Sequence, residues 1–590
     1  MNKSPEVFYT TEKEKFQKEL KLVVKSLQLV AALRFSIFSI AVFFIYYHTG
    51  NAELMIASGL VGVAVFSFFL KRHLKLKQEK NRLELLVQIN ALELQVLSGD
   101  FKELEAGEEF VNPKHAFSYD IDLFGIGSFF QYLNRTKTTA GKAKLVAVLT
   151  NNENFNIPKK QKALKELAKL ASWRQEFAAM ASMIKVEVLP KTILDWIGNY
   201  QSFLPKKAQV ISRVFSGVSL LLIGFVSFGN LQFSFITIWF FIGLGISSIY
   251  FKNITKLSAD ASQAKSTFQQ YYKLIAHIES QEFVADAITE KTKALQAEGL
   301  PSSQLVKIFS KALDALDQRN NLVVSIVGNG LFLMDIQNGS KVEKWINAYA
   351  KHVEIWFEII SYFDAQNSLA NFVFNHADFV FPEIDESAIV LNAEKLGHPL
   401  IRKEKRIPST CKIDAQNFLI ITGANMAGKS TFLRTISLSI VMANSGLPVC
   451  ASSFAYNPVK LITSMRTSDS LTDDSSYFFS ELTRLKFIVD TLKKEHYFIV
   501  LDEILKGTNS TDKALGSKKF VEKLVKSNAT GIIATHDLSL CEITETYEQI
   551  SNYYFDAEIV NDELFFDYKL KKGICQNMNA SFLLAKMEIV

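Results

Sequence analysis

Four runs of apolar residues stand out along the chain, and they form two closely spaced pairs. The first pair covers residues 29–47 and 54–70, and the second covers residues 214–228 and 233–251. Core helices of soluble proteins carry a polar face, and these runs do not. Each run is close to the lower limit of about 17 residues for a helix that crosses a bilayer. The pattern therefore predicts two transmembrane helical hairpins.

Basic residues are distributed unevenly around the two predicted hairpins. Lysine and arginine lie on the outer flanks, as at Arg72 and Lys252, and are missing from the inner links at 48–53 and 229–232. Under the positive-inside rule, this predicts a multi-pass protein of the cell (inner) membrane, with both termini and the C-terminal domain in the cytoplasm. The alternative is two helical hairpins buried in the core of a soluble protein, since the runs are short for membrane spans.

Outside the hairpins the hydrophobic pattern is mostly helical as far as residue 385. A charged helix is expected to emerge from the first hairpin at 74–97, and helix breaks are expected near Gly299–Pro301 and near Asn338–Gly339. The predicted domains are 1–110 for the first hairpin and its emerging helix, 111–205 for the first part of an all-α core, 206–255 for the second hairpin, 256–385 for the rest of the core, and 386–590 for a C-terminal domain.

Composition adds little to this picture. The chain has 66 lysine and arginine residues against 60 aspartate and glutamate residues, and its net charge of +6 does not by itself require a nucleic-acid partner. The four cysteines, Cys411, Cys450, Cys541 and Cys575, form no Cys-x-x-Cys pair. We interpret them as free thiols in a reducing compartment and not as a metal site.

One glycine-rich loop dominates the chemistry of the C-terminal domain. An apolar run at 417–421 with strand character leads into Gly-x-x-x-x-Gly-Lys-Ser, and a helical pattern follows at 432–438. This order of strand, loop and helix is the context that a phosphate-binding loop requires. The predicted nucleotide-binding residues of the loop are Gly423, Ala424, Asn425, Met426, Ala427, Gly428, Lys429, Ser430 and Thr431.

Individual residues of this loop have predicted roles. Gly423 and Gly428 would let backbone N–H groups converge on phosphate oxygens at the start of a helix. The Lys429 ammonium would contact the β- and γ-phosphates of ATP, and the Ser430 hydroxyl would ligate Mg²⁺. The alternative is an ordinary glycine turn followed by a surface lysine.

Two further apolar runs end in residues that fit the same site. The run at 497–501 ends in Asp502 and Glu503, and the run at 531–535 ends in His536. Both are typical of buried parallel strands, whose carboxyl ends collect ligands. Asp502 is predicted to hold Mg²⁺, Glu503 to orient or deprotonate the attacking water, and His536 to sense the γ-phosphate. Taken alone, the acidic pair could be a plain strand-to-loop transition and the histidine a surface residue.

Four motifs together resemble the ATPase domain of the MutS family of mismatch-repair proteins. They are Thr-Gly-Ala-Asn-Met-Ala-Gly-Lys-Ser-Thr at 422–431, Asp-Glu-Ile-Leu-Lys-Gly-Thr-Asn-Ser-Thr at 502–511, Ala-Thr-His-Asp at 534–537, and Ser-Ser-Tyr-Phe-Phe-Ser-Glu-Leu at 475–482. The Asn-Met pair in the loop separates this family from most other P-loop ATPases, and Gly-His-Pro at 397–399 matches its lead-in. The expected fold class is α plus α/β, with transmembrane hairpins, an all-α lever and a C-terminal P-loop ATPase domain of the ABC type.

The resemblance implies further site residues. In the family, two ATPase domains face each other with MgATP between them, so a homodimer is expected. Ser476 aligns with the serine that acts on the nucleotide of the other subunit, and Asn509 would lie at the interface. Tyr554 aligns with an aromatic or histidine residue that stacks partly on adenine, although core packing explains it equally well.

The resemblance extends to residues 128–141, which are similar to the opening of the helical lever of MutS proteins; Thr138 or Thr139 would cap the helix that follows. Relatives that bind mismatches begin with a wedge domain and interrupt the lever with a DNA clamp, and here membrane hairpins take both positions. No dimerisation tail is expected after Val590.

The implied protein is a membrane-anchored MutS-like ATPase dimer that lacks the mismatch-recognition domain and acts on mismatched or branched DNA. Two alternatives remain. One is an ATPase that remodels a membrane partner without DNA, and the other is a scaffold that uses ATP only to dimerise.

Overall fold

The computed structural model describes residues 4–183, 188–297, 299–385, 389–424, 426–466, 477–560 and 563–576. The α-helices in these residues are α1 (Pro5–Tyr47), α2 (Ala52–Leu97), α3 (Phe129–Leu133), α4 (Thr139–Thr150), α5 (Ile157–Lys169), α6 (Ala171–Ser182), α7 (Pro190–Gly198), α8 (Ala208–Ser227), α9 (Phe233–Glu279), α10 (Asp286–Lys293), α11 (Ser302–Asp317), α12 (Leu322–Phe332), α13 (Met334–Asn375), α14 (Lys429–Asn444), α15 (Tyr477–Leu492) and α16 (Ser510–Lys526). The strands are β1 (Gln296–Ala297), β2 (Leu300–Pro301), β3 (Glu383–Ile384), β4 (Ile389–Leu396), β5 (Ser409–Asp414), β6 (Phe418–Gly423), β7 (Ser453–Tyr456), β8 (Lys460–Ser464), β9 (Tyr497–Asp502), β10 (Thr530–Ala534), β11 (Ile550–Phe555), β12 (Glu558–Val560), β13 (Glu563–Phe565) and β14 (Leu570–Lys572).

The two predicted hairpins are helical, and their apolar surfaces face outward. The first consists of α1 and α2, and the second of α8 and α9. The most apolar windows of these four helices are only 0 to 17% buried. By length and composition, each of these four described helices is able to cross a membrane. The alternative of hairpins buried in a soluble core does not match this structure.

Each hairpin extends well beyond its apolar part. α1 begins at Pro5 and α9 continues to Glu279. α2 runs on to Leu97, as the charged pattern after its apolar run predicts. Its later turns pack on α6, where Arg82 Nε donates to Glu176 Oε2 at 2.8 Å. This contact fixes the first hairpin to the helical core.

A polar cluster joins the first hairpin to the long helix α13. Arg135 Nε donates to Glu93 Oε1 of α2 at 2.6 Å, and Asn375 Nδ2 of α13 donates to Glu93 Oε2 at 2.9 Å. Of the two predicted caps, Thr138 and Thr139, it is Thr138 that caps α4. Its hydroxyl accepts a hydrogen bond from the Gly141 N–H at 2.9 Å. The segment that resembles the opening of the lever therefore ties α2, α4 and α13 together.

The predicted helix break at Asn338–Gly339 is wrong. α13 runs unbroken from Met334 to Asn375. Gly339 serves close packing instead, because a Cβ at this position would lie 3.3 Å from Leu204 Cδ1. The chain breaks at Leu333, whose φ of 47° is left-handed, and α12 and α13 meet there at 88°.

The C-terminal domain is built on a six-stranded sheet of order β14-β11-β6-β10-β9-β8 within the described residues. The five strands from β11 to β8 are parallel, and β14 adds an antiparallel edge. A second sheet has the order β3-β7-β4-β5. Because parallel strands end at one edge of a sheet, the loops after β6, β9 and β10 lie next to one another. The fold class is α plus α/β, as predicted.

The helical core contacts this domain through the loop that precedes α3. Thr463 Oγ1, at the end of β8, donates to Asp120 Oδ2 at 2.5 Å. Arg466 forms two parallel hydrogen bonds to the Asp122 carboxylate, at 2.5 and 2.8 Å. A bidentate pair of this kind fixes orientation as well as distance. The edge of the large sheet is thus held rigidly against the core.

Candidate nucleotide site

The glycine loop joins β6 to α14 at the carboxyl edge of the large sheet. Gly423 has a φ of 145°, and a Cβ on it would lie 2.5 Å from the Phe555 carbonyl oxygen in the next strand. Gly428 has a φ of 105°, and a Cβ there would lie 3.1 Å from the Tyr568 ring. Both positions require glycine for backbone angle and for space. The order of strand, loop and helix matches the prediction, and Met426 on the loop is exposed.

The Lys429 side chain folds back across this loop. It is 6% exposed, and its Nζ donates to the carbonyl oxygens of Gly423 and Ala424 at 2.8 and 2.9 Å. Burial lowers the pKa of Lys429, and the nearby Glu503 carboxylate opposes that shift. A partly desolvated ammonium at the start of a helix is suited to binding phosphate oxygens.

Ser430 and Asp502 form the part of the site that suits a metal ion. Ser430 Oγ donates to Asp502 Oδ2 at 2.6 Å, from the first turn of α14 to the end of β9. A hydroxyl and a carboxylate are the oxygen donors that Mg²⁺ prefers. In the part of the chain that the structure describes, no group of three or more His, Cys, Asp and Glu side chains is placed to hold a metal.

Glu503 and His536 are brought together by strand pairing. β9 and β10 are adjacent and parallel, with Asp502 opposite Ala534, so the residues that follow meet at the sheet edge. Glu503 has a φ of 49°, and its Oε1 lies 2.8 Å from His536 Nε2. The hydrogen bond from His536, with help from the nearby Lys506 charge, lowers the pKa of Glu503 to about 2. Glu503 is therefore a carboxylate at neutral pH.

His536 Nε2 faces a donor and an acceptor at once. Lys429 Nζ, 3.2 Å away, can only donate a hydrogen bond, and the ionised Glu503 can only accept one. The shorter contact to Glu503 assigns the Nε2 proton to that carboxylate. A phosphate bound by Lys429 would come within reach of the same proton, which is the arrangement that a γ-phosphate sensor requires.

Glu481 supports the turn after Glu503, a role that sequence reasoning missed. It lies on α15, is 4% exposed, and accepts hydrogen bonds from the N–H groups of Leu505 and Lys506 at 2.5 and 3.0 Å. Leu505 has a left-handed φ of 62°, so this turn needs outside support. Burial raises the pKa of Glu481, and the N–H donors oppose that shift. In the sequence, the signal for Glu481 was an acidic residue shortly after Ser475 and Ser476. The same pattern also fits an ordinary helix cap.

A cavity of about 290 Å³ opens beside the loop. Its walls include His398, Arg406, Gly428, Thr431, Phe555 and Tyr568. Tyr554, the predicted adenine contact, does not line this cavity. Its ring lies beside Lys571, whose Nζ is 6.0 Å from the ring centre. The phenylalanine and tyrosine side chains at the cavity are Phe432 of α14, Phe555 of β11, which is next to the predicted Tyr554, and Tyr568.

Three other predicted residues have different outcomes. Asn509 is exposed and caps α16, because its Oδ1 accepts from the Asp512 N–H at 2.8 Å and its Nδ2 donates to Asp512 Oδ2 at 2.8 Å. Within one chain, Asn509 is therefore a helix cap, and its role at an interface stays a prediction. Asn425 and Ser476 lie outside the described residues.

Comparison with known families identifies the domain that carries this site. Residues 419–588 match the sequence model of MutS domain V. That stretch contains the whole glycine loop at 423–431 together with Asp502, Glu503 and His536, the groups that the fold places at one edge. This part of the chain is a MutS-family domain. Of the residues described above, His398 and Arg406 at the cavity lie outside it.

The chain is also similar to individual curated proteins. It is 33% identical to MutS protein homolog 4 of Homo sapiens over 224 residues, which cover 36% of this chain and 23% of that protein. It is 30% identical to the DNA mismatch repair protein MutS of Methanococcoides burtonii over 243 residues, or 40% of this chain and 27% of that protein. It is 27% identical to the DNA mismatch repair protein MutS of Flavobacterium psychrophilum over 350 residues, which cover 56% of this chain and 38% of that protein. The chain thus spans less than two fifths of the length of these relatives.

Proposed function

We propose that this protein is a membrane-anchored MutS-type ATPase that works as a homodimer. One observation carries the proposal: five polar side chains meet at one edge of one sheet, with partner atoms 2.6 to 3.2 Å apart. These side chains are Lys429, Ser430, Asp502, Glu503 and His536. They are the groups needed to bind a triphosphate, hold its Mg²⁺ and activate water.

Each of these residues has a task in ATP hydrolysis. Lys429 exchanges its two loop carbonyl partners for oxygens of the β- and γ-phosphates. Ser430 and Asp502 supply oxygen ligands for Mg²⁺, which when bound neutralises charge on the phosphates. Glu503, ionised beside His536, orients the attacking water and accepts its proton. His536 stabilises the charge that develops on the γ-phosphate.

Two copies are proposed to pair through their ATPase faces. Phe479 on α15 is 61% exposed and Met426 on the glycine loop is 78% exposed, and Phe487 also reaches the surface. Exposed apolar side chains beside a binding loop are typical of an interaction surface. By the family resemblance, Ser476 and Asn509 are proposed to act at this same interface.

The hairpins are proposed to anchor the protein in the cell (inner) membrane, with the ATPase domain and both termini in the cytoplasm. The outward-facing apolar windows of α1, α2, α8 and α9 and their basic flanks support this. Closure of the ATPase dimer would move the core through the contacts at Asp120 and Asp122, and the core would move the hairpins. By resemblance, the proposed role is binding of mismatched or branched DNA in DNA repair; two of the relatives are named DNA mismatch repair protein MutS.

A DNA-independent ATPase that remodels a membrane partner is the second candidate. One observation favours it. α8 and α9 interrupt the helical core where the resemblance expects a DNA clamp, and their surface is apolar. DNA-binding surfaces depend on Lys and Arg contacts to phosphate, which an apolar hairpin does not offer.

ATP hydrolysis by the purified full-length protein tests the proposal and separates the two candidates. We expect Mg²⁺-dependent hydrolysis that is stimulated by mismatched or branched DNA, and DNA binding that weakens steeply as salt rises. Stimulation by lipid, with no DNA binding even at low salt, would select the membrane-remodelling candidate. Lack of Mg²⁺-dependent hydrolysis with every DNA and lipid tested would overturn the ATPase itself.

Glu481→Gln is expected to slow ATP turnover while nucleotide affinity stays nearly unchanged. Glutamine has one acceptor oxygen, so one N–H of the turn at 505–506 loses its partner, at a cost of about 1–3 kcal/mol. The turn would then loosen directly after Glu503. The matched control is Asp490→Asn, which removes one charge from an exposed position on the same helix. Steady-state hydrolysis is compared with ATP titration, and equal turnover in both variants would show that this carboxylate does not support catalysis.

A further inference from the structure

We propose that α12 is a third membrane element, which enters the cytoplasmic leaflet beside the second hairpin, contacts phospholipid acyl chains and returns without crossing. The proposal rests on the proposed anchoring by α8 and α9. α12 has only 11 residues and is therefore about 16 Å long, roughly half the thickness of a bilayer core. The hydrophobic pattern had placed it inside the helical core at 256–385.

Contacts with α9 give the depth of α12. At its far end, Gly330 packs so closely on Gly243 that a Cβ on Gly243 would collide with the Gly330 carbonyl. Just before its near end, Arg319 Nη1 donates to Thr255 Oγ1 at 3.2 Å. Gly243 lies in the middle of the predicted span at 233–251, and Thr255 lies just past its cytoplasmic end. α12 therefore extends from the membrane surface into the cytoplasmic half of the bilayer.

One face of α12 presents apolar side chains to the surroundings. Leu322, Val323 and Val327 are 73%, 69% and 45% exposed. α12 packs on both α8 and α9, which expose apolar side chains of their own, such as Leu221 and Ile249. The exposed face of α12 is thus continuous with the surface of the second hairpin, which favours acyl chains over a folded protein as its neighbour.

Backbone carbonyl groups at the break between α12 and α13 accept hydrogen bonds from protein side chains, as the interior of a membrane requires. The Leu331 carbonyl accepts a hydrogen bond from the Ser219 hydroxyl. The Phe332 carbonyl accepts hydrogen bonds from Ser216 Oγ at 3.1 Å and Gln337 Nε2 at 2.8 Å. Both serines lie in the cytoplasmic part of the predicted span of α8 at 214–228. Because these side-chain donors satisfy the two carbonyl groups without water, the break is compatible with a lipid environment.

Charged groups are missing from α12 itself. Residues 321–334 contain no Asp, Glu, Lys or Arg. Arg319 precedes this stretch and pairs with Asp335 directly after it, with Nε and Oδ2 3.1 Å apart. The Arg319 guanidinium also lies 5.4 Å from the centre of the Phe251 ring. A neutral apolar helix whose two flanking charges neutralise each other suits a helix that enters a membrane.

Nitroxide labels on single introduced cysteines test the insertion, in full-length protein reconstituted into phosphatidylcholine–phosphatidylglycerol liposomes. V327C reports on α12 and L221C on α8, and V284C is the matched control, a valine that is 86% exposed in the segment before α10. The native cysteines are buried, and labelling of the parent protein sets the background. The readout is spin relaxation by oxygen, which partitions into lipid, against relaxation by a water-soluble nickel chelate. We expect an oxygen-to-nickel ratio several-fold higher at V327C than at V284C.

Each outcome of this experiment has one meaning. Lipid-like ratios at both V327C and L221C support the insertion of α12. A water-like ratio at V327C with a lipid-like ratio at L221C overturns the insertion and leaves the anchoring intact. Water-like ratios at both positions overturn the anchoring itself. Protection of V327C from both reagents would show that protein covers α12, and this also overturns the lipid contact.

Discussion

Replacement of Glu503 by glutamine is expected to reduce ATP turnover by about 10²- to 10⁴-fold, the usual contribution of a positioned general base. Glutamine has the same shape but cannot take a proton from the attacking water. ATP affinity should persist, because Lys429 and the loop at 423–431 bind the phosphates independently of this carboxylate. Single-turnover hydrolysis, measured beside an ATP titration, separates the two quantities. Unchanged turnover would remove Glu503 from the mechanism.

Two further variants make the Glu503 result specific. Glu542→Gln removes an exposed carboxylate from the same domain and should hydrolyse ATP like the parent protein. His536→Ala removes the donor that lowers the pKa of Glu503 from its ordinary 4.5 to about 2. Because this pKa is lowered in the folded protein, the hydrogen bond between His536 and Glu503 stabilises the folded state above pH 4.5. That stabilisation is lost as the pH falls towards 2. Glu503 stays ionised at pH 7 in this variant, so a loss of activity there would reflect lost positioning or a lost γ-phosphate contact.

The glycine loop and its acidic partners could be predicted because short stretches of sequence determine them. Gly423 and Gly428 are required by the backbone angles of one turn. Asp502 and His536 follow apolar strands, and parallel strands bring their carboxyl ends to one edge whatever the rest of the chain does. For these residues the local pattern and the topology agree, so the site follows from the motifs.

Glu481 and Tyr568 could not be predicted in the same way, because their positions depend on packing between distant elements. Glu481 accepts a hydrogen bond from the Leu505 N–H only because α15, which packs beside β8, lies next to the loop that follows β9. Tyr568 covers Gly428 because the chain returns to the glycine loop after β13. Neither contact leaves a periodic signal in the sequence, since periodicity reports only which face of an element is buried.

The break at Leu333 shows the same limit in the helical core. Asn338 and Gly339 favour a break locally, yet α13 uses that glycine to approach Leu204 and stays helical. Leu333 has no intrinsic preference for a left-handed φ, and its conformation is maintained by the contacts that α12 makes with α8 and α9. A short apolar run such as α12 cannot be distinguished from a buried core helix by its pattern alone.

Replacement of Lys429 by alanine is expected to weaken ATP binding by about 10²- to 10⁴-fold, because two charge-assisted hydrogen bonds of about 1.5–3 kcal/mol each are lost. ADP should lose less affinity, since it has no γ-phosphate for the ammonium to contact. The matched control is Lys403→Ala, whose side chain is 77% exposed in the same domain. Calorimetric titration with a non-hydrolysable ATP analogue measures affinity, and thermal unfolding checks that both variants fold. If a folded Lys429→Ala protein bound ATP as tightly as the parent protein, residues 423–431 would not be the phosphate-binding loop. The metal-binding role of Ser430 and Asp502, which depends on a triphosphate bound there, would then fall as well.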